Sequence, residues 1–195
     1  MYKKIFVIAM AMLVALPLCA RHGDEHFSFK GIPIDGTMSD FQSSAEKKGF
    51  IALKKTPRTV LLFGDYAGRQ CHVLVESLPH QDCVWGLTAY LPSCDNWQSL
   101  YDTYQSFKKE LTSLYGTPVN CVETFLGGES TDKTKKFQDV NTDKCMYKSV
   151  FESETGQVDL VIWHDSENGC YVLVSYIDTE NSKKQEMSIS DNLQH

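Results

Sequence analysis

The spacing of hydrophobic positions changes several times along the chain, and each change marks an element. Residues 27–34 (FSFKGIPI) alternate and run into the turn pair Asp35-Gly36, which predicts a strand. Thr37 stands three residues before Asp40, a carboxylate variant of the capping box. Met38, Phe41 and Ala45 then recur on one helical face until Gly49. Three strands are expected next, at 59–65 (TVLLFGD), 71–78 (CHVLVESL) and 83–91 (CVWGLTAYL), joined through Ala67-Gly68 and the loop 79–82. The strongest helical signal follows. Trp97, Leu100, Tyr101, Tyr104, Phe107, Leu111, Leu114 and Tyr115 are spaced by three and four, Asp95 or Asn96 can cap them, and Gly116 and Pro118 end the run. An aromatic stripe at this spacing is a core face rather than a binding box. A short strand is expected at 119–126. The stretch 127–144 has only Phe137 and Val140 as apolar anchors and reads as a long loop. Strands at 145–152, 157–164 and 170–178 are joined by Glu154-Thr155-Gly156 and Glu167-Asn168-Gly169, and the polar chain from 179 to 195 is expected to fray as a tail.

This order predicts an α+β protein of two tandem halves, about 27–94 and 95–178. Each half is a helix plus three strands, and one antiparallel sheet carries the helices on a single face. The halves share a plan rather than an identity, with Cys83 and Cys170 in equivalent places just after a polar turn.

The first residues change the picture. Lys3 and Lys4 precede an apolar run at 5–16, Pro17 breaks it, and Leu18-Cys19-Ala20 resembles a cleavage region. That is the pattern of a secretory signal, expected to occupy 1–20 and to leave a domain at 21–178; the run is too short for a bilayer span. Cys19 offers an alternative, a lipid-anchored start, although Leu18 departs from the small residue usual before a lipidated cysteine. Export would make the chain more acidic, because losing Lys3 and Lys4 takes the net charge from −6 to −8. An acidic chain without a basic stripe is a poor match for nucleic acid or an anionic membrane surface. Six cysteines remain after such a cut, at 71, 83, 94, 121, 145 and 170. An even number in an exported chain suggests disulfides, with the pairing open among fifteen connectivities. No two are spaced as C-x-x-C, which argues against a zinc ribbon or a thioredoxin-type dithiol.

FKGIPIDGTMSDFQSSAEKKGF and WQSLYDTYQSFKKELTSLYGTP resemble a group of uncharacterised exported proteins of Bacteroides-type bacteria. More distantly, the tandem plan, with GIPIDGTMSDF and YGTP, is similar to the β-lactamase-inhibitor-protein fold and to small outer-membrane assembly lipoproteins of the SmpA/OmlA type. That resemblance implies a sheet with one open face that grips another protein.

Catalytic and metal motifs do not emerge. Cys71 and His72 are adjacent strand residues and point to opposite faces, and His164-Asp165 has the same difficulty. There is no G-x-S-x-G or H-E-x-x-H, and Gly127-Gly128 lacks the Gly-Lys-Ser/Thr of a phosphate loop. Asp139, Asn141 and Asp143 begin like a calcium loop, but Lys144 and Val150 stand where Gly and Glu are required. No cofactor and no metal are expected. The strand alternation is more informative. With Val158, Leu160 and Ile162 inward, Asp159 and Trp163 face out, and the same reasoning turns His72, Glu76, Thr88 and Tyr90 to the same surface. The expected function is an exported, non-enzymatic module that binds a protein, or a peptide or glycan, on this face. A small secreted hydrolase and a structural envelope component are the alternatives.

Overall fold

The computed structural model describes residues 26–79 and 81–192. The expected signal segment and Cys19 lie outside the described residues. The fold is mixed α+β, with four helices and a large antiparallel sheet among the described residues. In chain order the elements are β1 (Ser28–Phe29), β2 (Ile32–Pro33), α1 (Met38–Lys47), β3 (Ile51–Lys55), β4 (Thr59–Tyr66), β5 (Arg69–Ser77) and β6 (Val84–Tyr90). They continue with α2 (Trp97–Tyr115), β7 (Asn120–Phe125), α3 (Lys133–Val140), β8 (Cys145–Glu152), β9 (Gly156–Asp165), β10 (Gly169–Asp178) and α4 (Thr179–Asn192). Eight strands form the main sheet in the order β3-β4-β5-β6-β10-β9-β8-β7, every neighbour antiparallel.

The helix caps form as the sequence implies. Thr37 Oγ1 accepts from the Asp40 N–H at 3.1 Å, and Asn96 Oδ1 from the Ser99 N–H at 2.9 Å. Each satisfies a donor that the first helical turn leaves unpaired. Met38, Phe41 and Ala45 of α1, and Trp97, Leu100, Tyr104, Phe107 and Leu111 of α2, are buried in one core with Val60, Leu62, Val73, Val75, Leu160, Val172 and Val174. Helix α2 lies over β8, β9 and β10, and α1 over β3, β4 and β5.

Four expectations are corrected. Residues 27–34 form a two-stranded hairpin, β1–β2, rather than one strand. Lys30 and Gly31 turn it at φ of 51° and 72°, and Gly tolerates this left-handed region without cost. An unexpected edge strand, β3, pairs with β4, and a register shift between Ala52 and Lys54 marks a bulge. The polar stretch 127–144 contains α3, capped by Asp132, whose Oδ1 accepts from the Thr134 N–H at 2.8 Å. The expected tail at 179–195 instead begins with α4. This helix is anchored by Asn181, fully buried, which donates to the carbonyl oxygens of Ile34 and Val84 at 3.1 and 3.0 Å. The addition of β3 and β7 to the two expected sets of three strands gives the sheet its eight.

The β1–β2 hairpin packs into a notch above Gly156. A Cβ at this position would strike the Phe27 ring and come within 2.6 Å of the Ile177 carbonyl oxygen. The Phe27 ring lies 5.8 Å from that of Tyr176 and 5.6 Å from that of Tyr115.

Candidate functional site

Strand alternation and register together define a second face, opposite the helices. The pairs Ile51↔Phe63, Phe63↔His72 and His72↔Tyr90 link β3, β4, β5 and β6. The pair Tyr171↔Trp163 links β10 and β9. The rings of Phe63 and His72 are 5.2 Å apart, and those of Tyr90 and Tyr171 are 6.0 Å apart across the β6–β10 seam. Opposed residues of antiparallel strands share a face, so Ile51, Phe63, His72, Tyr90, Tyr171 and Trp163 make a continuous band across six strands. At about 4.8 Å per strand the band is roughly 24 Å long. Ile51 is 62% exposed and Trp163 52%, so the band is open to solvent at both ends.

All six residues predicted for the binding surface, His72, Glu76, Thr88, Tyr90, Asp159 and Trp163, lie on this face. The structure brings His72, Tyr90 and Trp163 into the band. Thr88 faces Ser175, with their hydroxyls 2.9 Å apart. Asp159 is paired with Lys148 and accepts from Gln157 Nε2 at 2.6 Å. Sequence reasoning missed Ile51, Phe63 and Tyr171. Phe63 and Tyr171 sit in strands that are apolar on both faces, so alternation of polarity carried no signal there.

Beside the band lies a half-open groove of about 760 Å³, walled by Leu61, Phe63, Leu74, Tyr90 and Tyr171, with Leu91-Pro92-Ser93 and the β9–β10 turn at its ends. That turn is fixed by Asp165, which accepts from the N–H groups of Glu167 and Asn168 at 2.8 and 2.6 Å and from the Tyr171 hydroxyl at 2.7 Å. These hydrogen bonds, with the Asn168 side chain contributing most, hold its carboxyl well below the usual carboxylate range. Burial, with the negative charges of Glu76 and Asp165, pushes the Tyr90 phenol up.

Glu76 is half-buried on the same face, and burial raises its carboxyl above the ordinary value against the opposing pull of Arg58. Its proton is therefore held more tightly in the folded chain. Stability from this group is present at low pH and lost as pH rises through its raised value. Glu76→Gln is accordingly expected to raise the thermal midpoint at pH 7 by about 1–3 °C. The difference should vanish below about pH 4, and melting curves across that range check it.

Cys71 is buried on the helix side of β5 while His72 faces outward, so the two do not form a nucleophile and base. Asp139, Asn141 and Asp143 do not converge. Asp139 pairs with Lys135, Asn141 caps α3 through the Phe137 carbonyl, and Asp143 meets His164 at 2.9 Å. Among the described residues no group of three His, Cys, Asp or Glu side chains is arranged to hold a metal. Cys71, Cys83, Cys94, Cys121, Cys145 and Cys170, the residues expected to supply disulfides, are all free thiols here. Most lie too far apart to bridge: Cys121 and Cys145 occupy neighbouring strands but are four residues out of register, about 13 Å along the strand.

No family model matches the chain, and neither a curated protein nor a solved structure matches it.

Proposed function

We propose that the chain is an exported interaction module that binds an apolar, aromatic-rich segment of another protein along the band on its open sheet face. The observation that carries this reading is the band itself: Ile51 and five aromatic rings, His72 included, across six strands, flanked by an apolar groove and left uncovered by α1 and α2. Aromatic side chains supply large contact area at small entropic cost and dominate protein interfaces. A glycan is less well matched. Several polar groups flanking the band satisfy one another, Asp165 with Asn168 and Tyr171, Asp159 with Lys148, and Thr88 with Ser175, and these are not free to meet sugar hydroxyls. The unbridged carboxylate of Glu76 and the acidic net charge favour a partner segment that also carries a positive charge.

Export is part of the same proposal and rests on the residue pattern of 1–20. So does the reading of two related halves, with its likeness to the inhibitor-protein and assembly-lipoprotein plans. The strand order supports that reading, since two antiparallel runs, β3 to β6 and β7 to β10, meet at their last strands in the centre.

Selection from a displayed random peptide library tests the partner class. Bound peptides should be enriched in aromatic and aliphatic residues, and Tyr90→Ala and Trp163→Ala should each weaken them by about tenfold or more, as truncation of an interface anchor does. The circular dichroism of both variants should stay unchanged. Failure to select any peptide, unchanged affinity in both variants, or binding to an oligosaccharide array instead would overturn the proposal.

A further inference from the structure

Between β6 and α2 the chain turns back against the end of β10 through an isolated antiparallel bridge whose two partners are Cys94 and Cys170. The Cys94 N–H donates to the Cys170 carbonyl at 2.8 Å. Opposed residues of such a hydrogen-bonded pair have Cα atoms about 5.5 Å apart, inside the Cα range of a disulfide, and side chains on one face; a local shift of the short 92–94 segment closes the Cβ atoms from about 5 Å to bonding range. Each sulfur now makes a weak contact of its own: Cys170 Sγ donates to Asn141 Oδ1 at 3.3 Å and Cys94 Sγ to the Pro92 carbonyl at 3.9 Å. A thiol is a poor donor, so rotation about χ1 forfeits little.

The remaining cysteines lack this placement. Cys145 is separated from Cys170 by the whole of β9, about 10 Å at the usual strand spacing. Cys71 is opposed by Gly64 and Cys121 by Ser149. Cys83 lies beside Asp35, with Sγ donating to the carboxylate at 3.4 Å.

The geometry points to Cys94 and Cys170 as an oxidisable cross-strand pair, a redox modification site that takes a disulfide oxidant such as glutathione disulfide. Cys94 is partly exposed and Cys170 buried, which fixes the order of steps. The Cys94 thiolate attacks one sulfur of the oxidant, forming a mixed disulfide and expelling one glutathione thiolate. The Cys170 thiolate then attacks Cys94 Sγ and expels the second. The two cysteine protons end on the two released thiols, the protein loses two electrons, and one oxidant disulfide is reduced. Burial pushes the Cys170 thiol up, so the second step quickens with rising pH.

The link has a consequence for the groove. Leu91, Pro92 and Ser93 lie at one end of it, immediately before Cys94, and Tyr171 in its wall follows Cys170. Oxidation would tie that end of the groove to its wall. The assignment rests on register alone and does not depend on what the groove binds.

The test equilibrates the full chain with glutathione disulfide and maps the linked peptides by mass spectrometry after alkylation. A 94–170 linkage is expected, with two fewer alkylatable thiols and a thermal midpoint higher by roughly 5–15 °C than that of the reduced chain. Cys94→Ser, a substitution at a partly exposed position, should abolish the linkage and the shift while matching the reduced chain's midpoint. Residues 94 and 170 both remaining alkylatable, or a different dominant pair, would overturn the assignment.

Discussion

Replacing Asp178 with alanine is expected to cost about 3–5 kcal/mol of folding stability. The carboxylate is fully buried at the last position of β10, where it accepts from the Phe27 N–H at 2.7 Å and the Asn181 N–H at 2.8 Å and meets His26 Nδ1 at 3.1 Å. One side chain therefore joins three parts of the chain: the β1–β2 hairpin, the central strand and the first turn of α4. Alanine leaves two buried N–H groups without an acceptor, each costing about 1–3 kcal/mol. Asp178→Asn keeps one carbonyl oxygen but turns an NH2 group toward a donor, so an intermediate loss of about 1–2 kcal/mol is expected. Urea unfolding followed by circular dichroism measures both. A loss below about 1 kcal/mol for the alanine variant would mean that the hairpin and α4 are held without this carboxylate.

The position of Asp178 also shows what sequence alone hides. Periodicity found α2 from end to end, because eight apolar residues at helical spacing lie between a capping Asn96 and Gly116. It found the open face wherever a strand is polar on one side, as at His72, Glu76 and Asp159. It failed where structure is set by distant partners. The edge strand β3 reads IALKK, with nothing periodic in it, and exists because β4 offers a free edge. Helix α4 carries no apolar stripe and is placed by the Asn181 side chain, which reaches backbone carbonyls 147 and 97 residues away in sequence. The aromatic band is a property of register, since Phe63, Tyr90, Tyr171 and Trp163 come from four strands and align only when those strands pair. Local patterning names which residues face out, and long-range pairing decides which of them become neighbours.

Tyr104→Ala is the second large loss, about 3–5 kcal/mol, and it separates packing from hydrogen bonding at the helix–sheet contact. Tyr104 is fully buried at the centre of α2. Its ring meets that of Tyr147 at 5.5 Å and 81°, an edge-to-face contact, and its hydroxyl lies 2.7 Å from Ser149 Oγ, itself fully buried on β8. Alanine removes the ring and leaves a cavity that the neighbouring Tyr147 ring, fixed by its own contacts with Trp97, Tyr101 and Phe125, cannot readily fill. Tyr104→Phe keeps the ring and deletes only the hydroxyl. Ser149 retains a weak donation to Cys121 Sγ at 3.5 Å, so about 1 kcal/mol is expected. The two values, read from the same urea titrations, divide the contact between ring and hydroxyl. Because α2 backs β9 and β10, the strands that carry Trp163 and Tyr171, the alanine variant should also weaken peptide capture on the opposite face. The phenylalanine variant should leave that capture unchanged. Equal losses in the two variants would place the hydroxyl pair, and not the aromatic packing, at the centre of what holds the band in place.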